Sequence, residues 1–259
     1  MDEIVSTQNQ NVKRWRRLKY KNGRKKQGAY FLENWHLVHS ALAVKRPLLK
    51  IMVTPSELQR HHALLAGSSN LILISSKVAQ TLGSSLHPEG VFAVAKLPHQ
   101  SSLDPRNVKS GAWLLLDQIQ DPGNVGTMVR TADAAGFSGV VFGQRTVDLF
   151  NPKVVRSMQG SQFHLKLTAG DLRRWIPILE KNGLPIYGTA LDPQALNYRQ
   201  VKPSQNFGLV MGNEGRGMQK HLLKLTTQNL YIPIPGRAES LNVAVAAGIL
   251  MFRIKELVR

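Results

Sequence analysis

Three segments in the second half of the chain carry residues whose types and spacing suit chemistry, and each begins where a predicted strand ends. In open α/β sheets, ligands collect outside the carboxyl ends of the strands. In LLLDQIQDPGNVGTMVRTADAAG, Asp121, Pro122 and Gly123 form a turn, and Asn124 is placed to cap the following helix. Arg130 lies inside that helix and could turn toward a phosphate or a ribose. The plain alternative is a routine cap and a surface arginine. In FGLVMGNEGRGM, Gly212, Gly215 and Gly217 allow tight turns and close approach of backbone to a ligand. Glu214 sits among them, able to orient a substrate group or merely to cap a helix. The GxxGxG spacing follows a late strand and matches neither a dinucleotide fingerprint nor a P-loop. In LYIPIPGRAESLNVAVAAGILMFRI, Pro233 and Pro235 stiffen a strand exit. Ser240 is a natural N-cap for the helix beyond, and the amide of Asn242 in its first turn can bond a substrate.

The elements that must position these residues read as alternating strands and helices. AWLLLDQI, GVVFG, PIYGTAL, FGLVMG and LYIPI are strands, and their near-continuous apolar character suits a buried parallel sheet. NVGTMVRTADAAG, DLRRWIPILEKNG and MQKHLLKLT are helices, and a closing helix runs from about Leu241 to Leu257. The first half shows a smaller alternation. LLKIMVT, NLILISS and VFAVAKL are β-rich, and Leu37, Val38, Ala41 and Leu42 line one helix face. Tyr30, Phe31 and Trp35 read as core. LPHQSSLDPRNVKSG lacks apolar periodicity and reads as a linker. The fold class is therefore α/β, with a small domain at 1–96, a linker at 97–111 and a larger domain at 112–259.

The chain has 259 residues, with 34 Lys and Arg against 16 Asp and Glu, a formal net charge of +18. Such a surface attracts polyanions, nucleic acid first among them. The excess is concentrated early. Lys13 to Lys26 holds nine basic residues and no acid, with Trp15 and Tyr20 interleaved. Lys13, Arg14, Arg16, Arg17, Arg24, Lys25 and Lys26 are the candidate RNA phosphate contacts, and Trp15 is a candidate for stacking on a base. The alternative is a solvated basic helix whose Trp15 packs on the domain. The sequence contains no cysteine, which excludes thiol nucleophiles, thiolate metal sites and disulfides. No HExxH or similar spacing occurs, so the histidines, His61 and His62 included, read as ordinary and no metal is expected. No apolar run approaches a membrane span and MDEIVSTQNQ holds no signal core, so a cytoplasmic protein is expected.

In order and relative spacing, DPGNVGTMVRTADAAG, FGLVMGNEGRGM and YIPIPGRAESLNVAVAAGILMF resemble the three successive motifs of SpoU-type (TrmH-like) RNA 2′-O-ribose methyltransferases of the SPOUT superfamily. YFLENWHLVHSA is similar to the YFLEGxHLVEEA signature of the substrate-binding domain often fused ahead, with Asn34 in place of the usual glycine. Asparagine tolerates left-handed geometry, so the turn can survive. The resemblance implies a deep trefoil knot in the catalytic domain and a homodimer with its active site near the interface. It implies S-adenosylmethionine held by Gly212, Ile232 and Leu241, largely through backbone, with the loop near Thr189 adding to the pocket. It also places Asn124, Arg130, Glu214, Ser240 and Asn242 at the family's functional positions.

The implied reaction is in-line attack of a ribose oxygen on a sulfonium methyl, which needs positioning and a more nucleophilic oxygen but no metal. A guanidinium stays protonated near neutrality, so Arg130 is better suited to stabilising developing alkoxide charge than to acting as base. Ribosomal RNA is the preferred substrate, from the resemblance of the basic domain to that of relatives acting on the large subunit. Transfer RNA methylation, a non-catalytic RNA-binding protein of the same fold, and another nucleotide-dependent enzyme are the alternatives.

Overall fold

Apolar strands and amphipathic helices assemble into two sheets in the computed structural model, which describes residues 2–98, 103–192 and 195–255. Residues 99–102 of the expected linker and residues 256–257 of the expected closing helix lie outside the described residues. Two compact units result: Met1–His99 with Phe150–Phe163, and Gln100–Leu149 with His164–Arg259.

The first unit contains β1 (Asp2–Ile4), α1 (Gln10–Arg16), α2 (Lys21–Gln27), β2 (Ala29–Glu33), α3 (Trp35–Ala43) and β3 (Leu48–Val53). It continues through α4 (Pro55–Arg60), α5 (His62–Leu65), β4 (Leu71–Ile74), α6 (Ser76–Leu82) and β5 (Val91–Lys96). Its sheet runs β1-β4-β3-β5-β2, parallel from β1 to β3 and antiparallel across β5. Val12, Trp15 and Leu18, three apart on the basic segment, are buried in its core with Phe31, Met52 and Phe92. Trp15 is thus a core residue rather than a stacking platform, because its helix needs an apolar stripe to dock. Tyr20 is the exposed aromatic of the segment, at 72%.

Asn34 keeps the turn ahead of α3 with φ 87° and ψ 158°, and its side chain accepts from the Leu37 N–H. Of the residues read as core, Tyr30 and Phe31 are buried and Trp35 is half-buried.

The second half supplies β6 (Ala112–Leu116), α7 (Pro122–Ala134), β7 (Gly139–Phe142), α8 (Pro152–Ser157), β8 (Lys166–Ala169) and α9 (Leu172–Lys181). Then come β9 (Ile186–Thr189), β10 (Leu196–Asn197), β11 (Phe207–Met211), α10 (Lys220–Leu223), β12 (Gln228–Tyr231) and α11 (Val243–Ile254). Seven strands form one sheet, β10-β12-β9-β11-β6-β7-β8, with every pairing parallel. Every residue of β6, β7 and β11 is buried, as expected of strands covered on both faces. Each fully buried leucine of β6 contributes about 1.5–3 kcal/mol by leaving water.

Helix α8 packs in the first unit although its neighbours in sequence belong to the second. Phe150 meets the Tyr30 ring at 4.8 Å, Val154 and Val155 are buried, and Arg156 lies 3.6 Å from Glu33. Ser84 bonds both Glu33 and Arg156. The glutamate of YFLE therefore anchors this excursion.

Candidate active site

The strand register places the site. Met211 pairs with Leu116 at the last rung between β11 and β6, and the Asp117 N–H donates to Met211 O at 2.8 Å. The two strands release the chain side by side, at the point where the sheet order reverses. A crevice outside the carboxyl ends is the expected result.

From β6 the chain turns into α7. Asp121, not Asn124, is the N-cap: its carboxylate accepts the Asn124 N–H at 2.8 Å, and Pro122 opens the helix. Proline favours the first helical position, so the cap falls on the residue before it. That frees the Asn124 side chain. From β11 the chain makes a tight hairpin in which Asn213 and Gly217 exchange backbone hydrogen bonds at 3.0 and 2.9 Å. A Cβ at Gly212 would lie 2.1 Å from Met218 N, so only glycine fits there. Gly217 has φ +66°, the left-handed region that glycine enters without strain. The hairpin presents Glu214. Its carboxylate accepts from the N–H groups of Gln120 (3.4 Å) and Asp121 (3.2 Å), and from the side-chain amides of Asn124 (3.2 Å) and Asn213 (3.3 Å). The third segment enters through Asn242, the actual N-cap of α11. Its Oδ1 accepts from Ala244 N and Val245 N, while its Nδ2 donates to Asn124 Oδ1 at 3.0 Å. Ser240 is exposed ahead of the helix and is not its cap, because an asparagine nearer the helix takes that place.

Three of the five expected catalytic residues, Glu214, Asn124 and Asn242, therefore form one hydrogen-bonded line. The side chains of Arg130 and Ser240 are exposed and make no hydrogen bond or ion pair with any described residue. Six residues along α7 carry Arg130 about 9 Å up the axis and about 120° around it from Asn124.

Of the expected cofactor residues, Thr189, Gly212 and Ile232 follow or end the adjacent strands β9, β11 and β12. Thr189 Oγ1 donates to Val210 O at 3.0 Å, which ties the first two strand ends together. Ile232 is half-buried, and Leu241 is 36% exposed beside Asn242. Apolar side chains beside the backbone of three strand ends fit a ligand with an aromatic ring and polar edges. A cavity of about 180 Å³ opens separately at the ends of β6–β8, among Asp117, Gln118, Gln144, Arg145 and Arg173, and holds none of these residues.

In the basic segment, Lys13, Arg14, Arg16, Arg17, Lys25 and Lys26 are exposed. Arg24 is not available to a phosphate. It is 4% exposed, and its Nη1 donates to Leu18 O and Lys19 O at 3.0 Å each. The carbonyls that end the preceding 3-10 turn need a donor, and Arg24 supplies it.

Sequence reasoning missed Asn213, whose amide donates to Gln118 O at 2.8 Å and whose Oδ1 receives the N–H groups of Gly215 and Arg216. An asparagine opening a glycine-rich turn was the available signal.

The arrangement of three motifs around one switch point on an all-parallel sheet marks a SpoU-type catalytic domain. Residues 111–252 match the model of the SpoU rRNA methylase family, and residues 9–93 match an MRM3-like substrate-binding domain. The chain belongs to the SpoU rRNA methylase family. It is 39% identical to the Bacillus subtilis 23S rRNA (guanosine(2553)-2′-O)-methyltransferase RlmP, over 98% of this chain and 100% of that one. An AdoMet-bound rRNA methyltransferase from Sinorhizobium meliloti superposes with TM-score 0.87 at 29% identity, covering 100% of this chain and 98% of the other. The AdoMet complex of the SpoU methyltransferase AviRb from Streptomyces viridochromogenes gives TM-score 0.82 at 26% identity, covering 96% and 97%.

Proposed function

We propose that this chain transfers the methyl group of S-adenosylmethionine to a ribose 2′-hydroxyl of 23S ribosomal RNA. The observation that carries the reading is the line Glu214–Asn124–Asn242, which joins all three family motifs beyond the carboxyl ends of β6 and β11. Full-length similarity to a 23S rRNA 2′-O-methyltransferase supports the substrate.

The cofactor, when bound, supplies a methyl group already activated as a sulfonium. Thr189, Gly212, Ile232 and Leu241 would hold it. Glu214 fixes the Asn124 amide and Asn242 fixes its oxygen, so Asn124 is oriented from both ends before substrate arrives. Such preorganisation lowers the entropy cost of reaching an attack geometry. Arg130 contacts the target ribose-phosphate and stabilises the oxygen as negative charge develops, with Ser240 helping to orient the nucleotide. As the O–CH3 bond forms the S–CH3 bond breaks, S-adenosylhomocysteine leaves, and the hydroxyl proton passes to a phosphate oxygen or water. The exposed bases of residues 13–26 hold the RNA backbone.

A second chain completes the site. Val245, Ile249 and Phe252 form an outward stripe on α11, with Val245 at 53% and Phe252 at 57% exposure. The opposite face, Ala244, Ala247, Leu250, Met251 and Ile254, is already buried. A helix apolar on both sides calls for a second partner, and a homodimer supplies it. The reading also includes the trefoil knot, supported by β11 entering between β6 and β9 before β12 pairs outside β9. Among the described residues no helix is long and apolar enough to cross a membrane, and the cytoplasm is where ribosomal RNA would be met.

The test is methyl transfer from labelled S-adenosylmethionine to 23S rRNA, with the product mapped by resistance of the 2′-O-methylated linkage to alkali. One modified ribose, lost when that nucleotide is 2′-deoxy, is the expected result. Methylation on a base, or on transfer RNA alone, overturns the reading.

A further inference from the structure

Two buried polar atoms of the first unit face each other without a hydrogen bond. Glu57 is 5% exposed, yet its Oε2 has no hydrogen-bond partner. The same holds for Nε2 of His61, one helical turn on, which lies 3.3 Å from that oxygen. The distance is short, but the pair does not meet hydrogen-bond geometry. Unsatisfied buried atoms of this kind call for an explanation, an ion among the candidates. Glu89 supplies a second carboxylate, and its ligating atom and those of Glu57 and His61 all lie within 4.8 Å of one another.

We propose that Glu57, His61 and Glu89 form a structural site for a first-row divalent cation of the zinc type. The separation of the two buried atoms suits that ion. Ligands about 2.0–2.1 Å from a tetrahedral zinc lie about 3.3 Å apart. One imidazole with two carboxylates is a mixed nitrogen–oxygen set, which magnesium and calcium do not favour. Each ligand is also held from behind. Glu57 Oε1 accepts from Arg60 Nη1 at 2.7 Å. Glu89 Oε2 accepts from the Trp35 N–H at 2.9 Å. The Trp35 ring lies parallel to the His61 ring at 3.7 Å between centroids. Such supporting contacts orient metal ligands in established sites. Glu89 is exposed, so water completes the coordination on that side. The ion would fasten α4 to the turn entering β5, and Trp35 at the start of α3 to both. No HExxH motif marks the site, because its ligands come from Glu57 and His61 at i, i+4 and from a distant turn.

The test uses the full chain stripped with chelator, then titrated with Zn2+ alone and followed by calorimetry and thermal unfolding. One equivalent should bind and raise the melting temperature, while Mg2+ does neither. His61→Asn and Glu89→Gln should each weaken Zn2+ binding at least 10-fold. Glu89→Gln retains an oxygen for the Trp35 N–H, so its melting in chelator should match the parent and separate ligand loss from misfolding. Co2+ in place of Zn2+ should give a visible absorption band that Glu89→Gln abolishes. Zn2+ binding equal in parent and both variants, or absent from the parent, overturns the site. In the latter case the contact is only a close His61–Glu57 pair one helical turn apart.

Discussion

Asn242 bonds Asn124 with one end of its amide and caps α11 with the other, the first contact at 3.0 Å and the caps at 2.9 and 3.3 Å. One side chain thus anchors a helix and orients a residue of another motif. The two roles separate by substitution. Asn242→Ser keeps a good cap and loses the amide, so stability should change by less than about 0.5 kcal/mol. Methyl transfer should still fall about 10-fold. Asn242→Ala should add a loss of about 1 kcal/mol for the cap. Urea melts and single-turnover methyl transfer measure both, and full activity in the serine variant would refute the orienting role.

Glu214 receives four donors, at 3.2 to 3.4 Å, from an exposed position. Long, wet hydrogen bonds add little to stability, each well under about 1 kcal/mol net. Their value is in where they hold Asn124. Glu214→Gln presents an amide to donors and breaks the pattern. We expect a melting temperature within a few degrees of the parent, unchanged S-adenosylmethionine affinity by calorimetry, and kcat reduced more than 10-fold. A variant that loses stability and keeps kcat would assign Glu214 to the hairpin alone.

Arg130 stands apart from that line, and its effect should be confined to turnover. Arg130→Ala is expected to lower kcat by about 10²–10³, the usual loss when a charge-stabilising donor is removed. Cofactor binding and folding should be unaltered, since Arg130 is exposed and unpaired among the described residues. Rapid-quench methyl transfer beside cofactor calorimetry decides it. Near-normal turnover would return Arg130 to the surface.

Much of this site was readable before the structure, for a physical reason. Glycine, asparagine and proline announce turns by their own backbone preferences, so the three strand-end segments were visible one at a time. What linear reading could not supply was the join between them. The bond from Asn124 to Asn242 spans 118 residues and depends on β11 lying beside β6. Caps were misassigned wherever two competent residues compete, as Asp121 with Asn124 and Asn242 with Ser240. Strand β1, Asp2–Ile4, was overlooked because three residues with two acids show no period, and β4 makes it a strand. Strand β8, Lys166–Ala169, is an edge strand of similar brevity. Buried Arg24 and Trp15 carry the same lesson. A basic run looks uniform in sequence, and burial sorts it into core and surface.

That sorting is testable. Arg24 donates to two backbone carbonyls from a buried position, so Arg24→Ala should destabilise the chain by about 2 kcal/mol through unsatisfied groups. Lys25 and Lys26 are exposed, and alanine at both should leave the melt unchanged. RNA binding should then weaken about uniformly across sequences. The slope of log affinity against log salt should flatten by about one for each phosphate that is no longer neutralised. Equal salt slopes in parent and double variant would remove the segment from the RNA interface.

Asn34 offers a prediction with the opposite sign. At φ 87° and ψ 158° its backbone sits where glycine is at ease and a side chain is strained. Strain of this kind costs about 1–3 kcal/mol, and the family signature places glycine at this position. Two terms oppose the exchange. The Asn34 side chain receives the Leu37 N–H at 3.0 Å as an N-cap, and a glycine there costs only a few tenths of a kcal/mol. Glycine also loses more backbone freedom on folding, about 0.5–1 kcal/mol. Relief of strain outweighs the sum, so Asn34→Gly should stabilise the chain by about 0.5–1 kcal/mol in urea melts. Asn34→Ala keeps the strain and loses the cap, and should destabilise by about 1 kcal/mol. If both substitutions destabilise equally, the cap governs this turn and the strain is not felt.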